Sequence, residues 1–121
     1  MSESRAHERL REDVKRVLSG VVEFEAKDPV VRAASPTVMD VRLSPDARYA
    51  RVFIALGAFD ADKDAVMKAF HHDRGFFRSE LAHRLALRYT PDLQFVLDET
   101  VERAQRLERL FDEMRDEKPQ A

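Results

Sequence analysis

With 121 residues and a formal net charge of −2, the chain has the size of one ordinary domain, and its composition is 44% hydrophobic and 36% charged. The absence of cysteine from the sequence excludes disulfide bonds and thiolate-bound metals. The charged first residues lack an apolar segment long enough for a signal peptide or a membrane span, which predicts a cytoplasmic protein without a membrane partner.

The first predicted element is an amphipathic helix from about residue 5 to residue 25. Its apolar positions recur at helical spacing and are Leu10, Val14, Val17, Leu18 and Val21. The segment Lys27-Asp28-Pro29 is expected to end the helix, because the residue before a proline is disfavoured in helical geometry. Residues 30–36 are then expected to form a connecting loop.

Two segments with alternating apolar and polar residues predict an antiparallel hairpin. In residues 38–43 the expected inward positions are Met39, Val41 and Leu43, and in residues 49–56 they are Ala50, Val52, Ile54 and Leu56. The residues between them, 44–47 (SPDA), have the composition of a turn.

A helical region follows the hairpin. Gly57 ends the second strand, and Asp60 or Asp62 is the expected N-cap of a helix with Val66 and Phe70 on its apolar side. Gly75 interrupts the pattern, which resumes with Phe77, Leu81 and Leu85. The sequence therefore predicts either two helices or one helix that is kinked at Gly75.

The last predicted elements are a short strand and a C-terminal helix. Leu93, Phe95 and Leu97 indicate the strand, and a helix from about Val101 has Ala104, Leu107, Leu110 and Met114 on one side. The complete order predicts an α+β domain with one helical layer on a three-stranded sheet. Most of the phenylalanines are assigned to the core, with Phe53 and Phe76 lying off the apolar stripes of their elements.

The sequence offers little support for a catalytic or metal site. Asp60, Asp62 and Asp64 resemble the start of a calcium loop, but Ala65 and His71 occupy the positions that need glycine and a bidentate glutamate. The adjacent His71 and His72 point about 100° apart on a helix and do not converge on one ion. Neither a glycine-rich nucleotide loop nor a nucleophile elbow is present, so we expect no enzyme activity, metal or cofactor.

The distribution of charge is more informative than its sum. Basic side chains concentrate between residues 68 and 88, whereas acidic side chains predominate between residues 98 and 118. Phosphate binding depends on the local surface, so the net charge does not exclude a nucleic-acid partner. The basic members of the first segment are Lys68, Arg74, Arg78, Arg84 and Arg88.

The segment around Gly75 has two interpretations. A glycine between two helices can adopt a positive φ and bring the backbone close to a ligand, while the helix expected to restart at Phe76 presents free N–H groups. Arg74 and Arg78 beside that helix start suit RNA phosphates. The alternative is an ordinary helix corner with solvated surface arginines, and the spacing alone leaves both open.

Several short motifs resemble those of the ribosome-binding factor A family, in the same order along the chain. They are residues 27–29 (KDP), 44–46 (SPD) with 49–52 (YARV), 75–81 (GFFRSEL), 87–93 (LRYTPDL) and 98–99 (DE). The resemblance extends from about Arg9 to Met114. It implies a type II KH-like fold, in which residues 1–99 form the RNA-binding domain. Residues 100–121 form a C-terminal helix and a frayed tail, within the same domain or packed on it.

The resemblance also implies a function. Members of this family bind the immature small ribosomal subunit near the 5′ end of its 16S rRNA and the decoding region, aid late maturation and rRNA processing, and support growth in the cold. They use no nucleotide or metal of their own, although assembly GTPases act on the same particle. The chain is accordingly expected to be a monomer whose partner is the small subunit. The alternative is a generic KH-like RNA-binding protein without ribosomal specificity.

The expected RNA-binding residues follow from the charge pattern and the resemblance together. KH domains hold nucleic-acid backbone in a Gly-x-x-Gly loop, for which this family has an Ala-x-Gly corner that matches Asp73, Arg74 and Gly75 here. Asp73 stands at the alanine position, where an acid weakens phosphate binding unless it caps a helix or pairs with Arg74. The remaining expected contacts are Arg9, Lys15, Arg16, Lys27, Arg51, His71, Arg78, Arg84 and Arg88.

Overall fold

The structure is a computed structural model that describes residues 2–117, with side chains from residue 5 to residue 116. The tail at residues 118–121, expected to be frayed, lies outside the described residues. The elements begin with helix α1 (Ser2–Gly20), a π-helical turn (Val21–Glu25), helix α2 (Pro29–Ala33), strand β1 (Pro36–Leu43) and strand β2 (Tyr49–Leu56). They continue with helix α3 (Lys63–His72), helix α4 (Arg74–Arg84), strand β3 (Asp92–Leu97) and helix α5 (Thr100–Glu117).

The three strands form one sheet with β2 at its centre. Strand β1 runs antiparallel to β2, as the predicted hairpin requires, and β3 runs parallel to β2. Helices α1, α3 and α4 pack on one face of this sheet. Between the layers lie fully buried side chains from every one of these helices and from β2, including Leu18, Ile54, Phe70 and Leu81. The prediction of an α+β domain with this element order is confirmed.

Two local predictions in the first half of the chain were wrong. Residues 30–36 do not form a loop: the carboxylate of Asp28 accepts a hydrogen bond from the backbone N–H of Val30, and Pro29 occupies the first position of helix α2. A proline at that position suits a helix because its missing N–H would have no helical partner. In β1 the pairing with β2 shifts between Val38 and Asp40, so Val38 is buried in place of Met39.

Three phenylalanines assigned to the core are exposed. Phe24 is 82% exposed because it lies in the π-helical turn, which changes the phase of the helix while Val21 and Val22 remain buried. Phe59 lies in the loop between β2 and α3 and is 97% exposed. Phe111 is exposed on helix α5, where every described side chain from residue 103 to residue 116 is exposed. The predicted apolar side of α5 therefore forms no part of the core.

Helix α5 is attached to the domain at its first turn. The ammonium group of Lys63 at the start of α3 donates to Glu99 at 3.2 Å and to Glu102 at 2.7 Å. These two contacts raise the pKa of Lys63, with the contact to Glu102 contributing more. Further along, α5 faces Phe59 and Gly57 across an open groove of about 660 Å³.

Candidate RNA interface

The corner between α3 and α4 lies at Asp73. Helix α3 ends at His72, Asp73 has φ −92° and ψ 9°, and α4 begins at Arg74. Gly75 is within the first turn of α4 and has no positive φ, so the expectation that it provides the turn was wrong. A Cβ atom at Gly75 would meet no atom within 4 Å, which leaves the backbone of this turn open to a ligand.

The segment after α1 meets this corner. The Nζ atom of Lys27 lies over the ring of Phe76, 5.6 Å from its centroid. Burial raises the pKa of Asp73, and a hydrogen bond with the carboxyl group of Asp28 raises it further. Asp73 therefore binds its proton more tightly than an isolated aspartic acid does.

Arg74 has its guanidinium group directed back along α3. One of its nitrogens lies 2.5 Å from Nε2 of His71 and donates to the backbone carbonyl of His71 at 3.2 Å. Both side chains are exposed. The structure thus brings together Lys27, His71, Asp73, Arg74 and Gly75, which we call the corner cluster.

Arg78 and Arg84 have intramolecular partners instead. Arg78 donates to the carbonyl of Thr90 at 2.9 Å, and its Nε lies 3.3 Å from the carboxylate of Asp92 at the start of β3. Arg84 pairs with Glu25 and, at 3.4 Å, with Glu80. These contacts join α4 to β3 and to the end of the π-helical turn, so both arginines serve the packing of the domain.

The remaining basic residues of the expected set lie elsewhere on the surface. Arg9 and Arg16 are exposed on α1, with Arg16 3.5 Å from Asp13, and Lys15 is partly buried. Arg88 is exposed in the connection from α4 to β3. Among residues 5–116, no side-chain hydrogen bond or ion pair joins any of these four to the corner cluster.

Arg51 lies on the opposite face of the sheet from the corner cluster. Its neighbours Ala50 and Val52 are buried beneath the helices, and successive side chains of a strand alternate between faces. Arg51 is therefore directed away from α4. The alternation of residues in β2 already indicated this orientation, because Arg51 stands between two positions expected to face inward.

The described part of the chain shows neither a metal site nor a membrane-spanning helix. Within residues 2–117, no three His, Cys, Asp or Glu side chains are gathered in a way that could hold a metal ion. No helix in the same range combines the length and the apolar character needed to cross a bilayer.

The chain is similar to proteins of one family in sequence and in structure. A family model described as Ribosome-binding factor A matches residues 6–111. The chain is 40% identical over 115 residues to the ribosome-binding factor A of Chromohalobacter salexigens, with 93% of this chain and 86% of that protein covered. It is 38% identical over 110 residues to that of Gloeobacter violaceus, with 90% and 85% covered.

Solved structures give the same result for the fold. The crystal structure of ribosome-binding factor A from Thermus thermophilus superposes with a TM-score of 0.65 at 25% identity, covering 75% of this chain and 93% of that one. A Thermus thermophilus homology model fitted into a cryo-EM map of a complex with the 30S subunit gives a TM-score of 0.62 at 24% identity, covering 74% and 92%.

Proposed function

The chain belongs to the ribosome-binding factor A family, and on that premise we propose that it binds the immature small ribosomal subunit and assists the late steps of its maturation. The observation that carries this proposal is the family match over residues 6–111, which includes the whole corner cluster. A structure of the same family, fitted into a map of its complex with the 30S subunit, supports the choice of particle.

The proposed binding site on the particle is the 16S rRNA near its 5′ end and the decoding region. The corner cluster is the proposed centre of the interface, because it combines two cationic side chains with an open backbone at Gly75. Arg9, Lys15, Arg16 and Arg88 are proposed as additional phosphate contacts. Arg78 and Arg84 are proposed to contribute through the positive charge of α4, since their guanidinium groups already have protein partners.

The proposed mode of action is binding without chemistry. A protein that binds one RNA arrangement more tightly than another increases the population of the first, and maturation then proceeds from that arrangement. The same step would support processing of the rRNA and growth in the cold. Assembly GTPases would act on the same particle, and the protein itself would act as a monomer in the cytoplasm.

Residues 1–99 are the proposed RNA-binding unit, and α5 is proposed to be directed away from the RNA. The second half of α5 is rich in acid, with Asp112, Glu113 and Asp116 exposed. These carboxylates would repel phosphates at short range. The end of α5 is therefore acidic, whereas the corner cluster is basic.

The test is co-sedimentation of the full chain with mature small subunits, immature small subunits and large subunits, in salt from about 50 to 200 mM. We expect preferential binding to immature small subunits, with an affinity that falls steeply as salt increases. Equal binding to large subunits and to unrelated structured RNA of the same length would contradict this function. Such a result would identify a generic KH-like RNA-binding protein.

A further inference from the structure

The face of the sheet opposite the helices carries a row of hydrogen-bond donors across all three strands. Arg42 on β1 pairs in register with Arg51 on β2, and Arg51 pairs with Gln94 on β3. All three side chains are exposed, while the adjacent Val41, Val52 and Leu93 are buried beneath the helices. An arginine side chain has donors and no acceptor, and an amide has donors as well, so this row can receive an acceptor-rich ligand.

The two arginines lack acidic partners. Among residues 5–116, no carboxylate lies within ion-pair distance of Arg42 or Arg51. The acids nearby have other partners. Asp40 accepts from Arg11 at 3.0 Å, and Asp92 lies 3.3 Å from Nε of Arg78. Asp98 and Glu99 line a recess with Arg42, but Asp98 accepts from the backbone N–H of Thr100 and Glu99 pairs with Lys63. Like charges directly opposite each other on adjacent strands destabilise a sheet, so a bound anion would stabilise this pair.

Aromatic rings flank the arginine row on β2. Tyr49 and Phe53 lie two residues before and after Arg51, which places them on the same face of the central strand. Tyr49 is 62% exposed. The guanidinium carbon of Arg42 lies 5.5 Å from the centroid of the Phe53 ring, so that ring positions the cation. An open recess of about 400 Å³ lies between Arg42, Tyr49, Arg51 and Gln94.

We propose that this face, which we call the open sheet face, is a second RNA-binding surface that takes a single-stranded segment. Arg42 and Arg51 hold its phosphates, and a base stacks on the exposed ring of Tyr49. Interleaved cations and aromatic rings are typical of surfaces that bind single strands, because every base has a face that can stack. An acidic peptide would use the arginines but would gain little from the ring of Tyr49.

The proposal deepens the proposed function and rests on it, since it assigns RNA to a second side of the same molecule. The corner cluster and the open sheet face lie on opposite sides of the sheet. Two RNA segments can therefore be bound at once, one against α4 and one against the strands. A protein with two such surfaces can hold two parts of an rRNA in a fixed relation.

The test is fluorescence anisotropy with the full chain and a labelled single-stranded RNA of mixed sequence. The double variant Arg42→Gln/Arg51→Gln should bind more weakly, and its slope of log affinity against log salt should decrease by about 1.4, since each contact to a single-strand phosphate contributes about 0.7. Tyr49→Ala should weaken binding at least about fivefold while leaving that slope unchanged. The matched control is Arg106→Gln/Arg109→Gln, which makes the same change of charge on exposed positions of α5.

The result that overturns the proposal is an affinity and a salt slope of the Arg42/Arg51 variant equal to those of the control. A polyglutamate peptide serves as a second probe. If the peptide requires Arg42 and Arg51 for binding, and Tyr49→Ala leaves the RNA affinity unchanged, then the face binds acidic polypeptide and the proposal is wrong. Thermal unfolding of each variant verifies that it is folded. Failure of the proposed function is recognised separately, as wild-type protein that does not sediment with small subunits.

Discussion

Lys27 lies over the ring of Phe76, with its Nζ atom 5.6 Å from the ring centroid. The contact joins the segment that follows α1 to the first turn of α4, and the neighbouring Asp28 meets Asp73 at the same place. A cation–π contact at an exposed site contributes about 0.5 to 1 kcal/mol, which is enough to favour one position of a lysine side chain. The Lys27-Asp28-Pro29 motif therefore has two roles: it starts α2 and it completes the α3–α4 corner.

The first prediction concerns the corner cluster. Replacing Lys27 and Arg74 with glutamine should weaken binding to the small subunit and lower the slope of log affinity against log salt by about 1.4 to 1.8, as expected for the loss of two phosphate contacts. The measurement is sedimentation with immature small subunits at several salt concentrations. The variant Arg106→Gln/Arg109→Gln removes the same charge from α5 and should bind like the wild type. Equal slopes for the two double variants would contradict the assignment.

The second prediction concerns the pH dependence of stability. Burial and Asp28 raise the pKa of Asp73 above its ordinary value of 3.8, so above that pH the folded protein holds a proton that the unfolded chain has released. The free energy of unfolding therefore falls as pH rises from about 4 through the raised pKa. Asp73→Asn should remove this loss and stabilise the protein at pH 7 by less than about 1 kcal/mol, since the group is partly exposed to solvent. Urea unfolding between pH 4 and pH 7 measures the effect.

Asp46 in the hairpin turn is the matched control, because its pKa is lowered where that of Asp73 is raised. The hydroxyl of Ser44 donates to its carboxylate at 2.7 Å, and this contact, followed by the backbone N–H of Arg48, lowers the pKa of Asp46. The stability that it contributes is present above pH 3.8 and is lost as pH falls through the lowered pKa. Asp46→Asn should therefore destabilise the protein at pH 7. A stabilising effect there, or a destabilising one for Asp73→Asn, would show that the assigned causes are wrong.

Periodicity in the sequence predicted the elements whose residues face the core. Ala50, Val52 and Ile54 alternate in β2 as expected, and Val66 and Phe70 are buried in α3. Periodicity failed where a single residue shifts the register. The π-helical turn directs Phe24 toward solvent, and the bulge in β1 buries Val38 in place of Met39. Such shifts arise from local backbone geometry that an apolar pattern does not encode.

The candidate site was only partly predictable for a different reason. The placement of Arg74 at the α3–α4 corner follows from the motifs, but the position of Lys27 over Phe76 does not. The partners of the other arginines also lie far away in the sequence. Arg84 pairs with Glu25, which is 59 positions away, and Arg78 donates to the carbonyl of Thr90. An arginine on the polar side of a helix gives the same sequence pattern whether its side chain contacts solvent, RNA or a distant carboxylate. Only the tertiary fold distinguishes these cases.

The third prediction tests the assignment of aromatic residues to the core. Phe77 is buried, and its ring lies 5.6 Å from that of Phe70 and 5.3 Å from that of Phe95. Phe77→Ala should lower the free energy of unfolding by about 3 to 5 kcal/mol, through lost burial and the cavity that remains. Phe59→Ala, at a position 97% exposed, should change it by less than about 0.5 kcal/mol. Denaturant unfolding of both variants provides the comparison, and equal effects would contradict the described packing.

The fourth prediction separates two glycines that look alike in the sequence. Neither Gly57 nor Gly75 has a positive φ, so neither is needed for a left-handed turn. An added Cβ at Gly75 would meet no atom within 4 Å, whereas at Gly57 it would lie 3.1 Å from the carbonyl oxygen of Ser35. That oxygen is fixed, because it accepts a hydrogen bond from the N–H of Gly57 at 2.9 Å.

Gly75→Ala should therefore raise the free energy of unfolding by up to about 1 kcal/mol, since alanine restricts the unfolded chain and favours α4. Gly57→Ala should lower it, because the crowded carbonyl cannot move without losing its hydrogen bond. Denaturant unfolding measures both, and RNA binding by the Gly75 variant adds a separate result. If that variant is more stable yet binds the small subunit less tightly, then glycine is present at the corner to admit RNA close to the backbone. If it is less stable, the corner is built differently from the structure described.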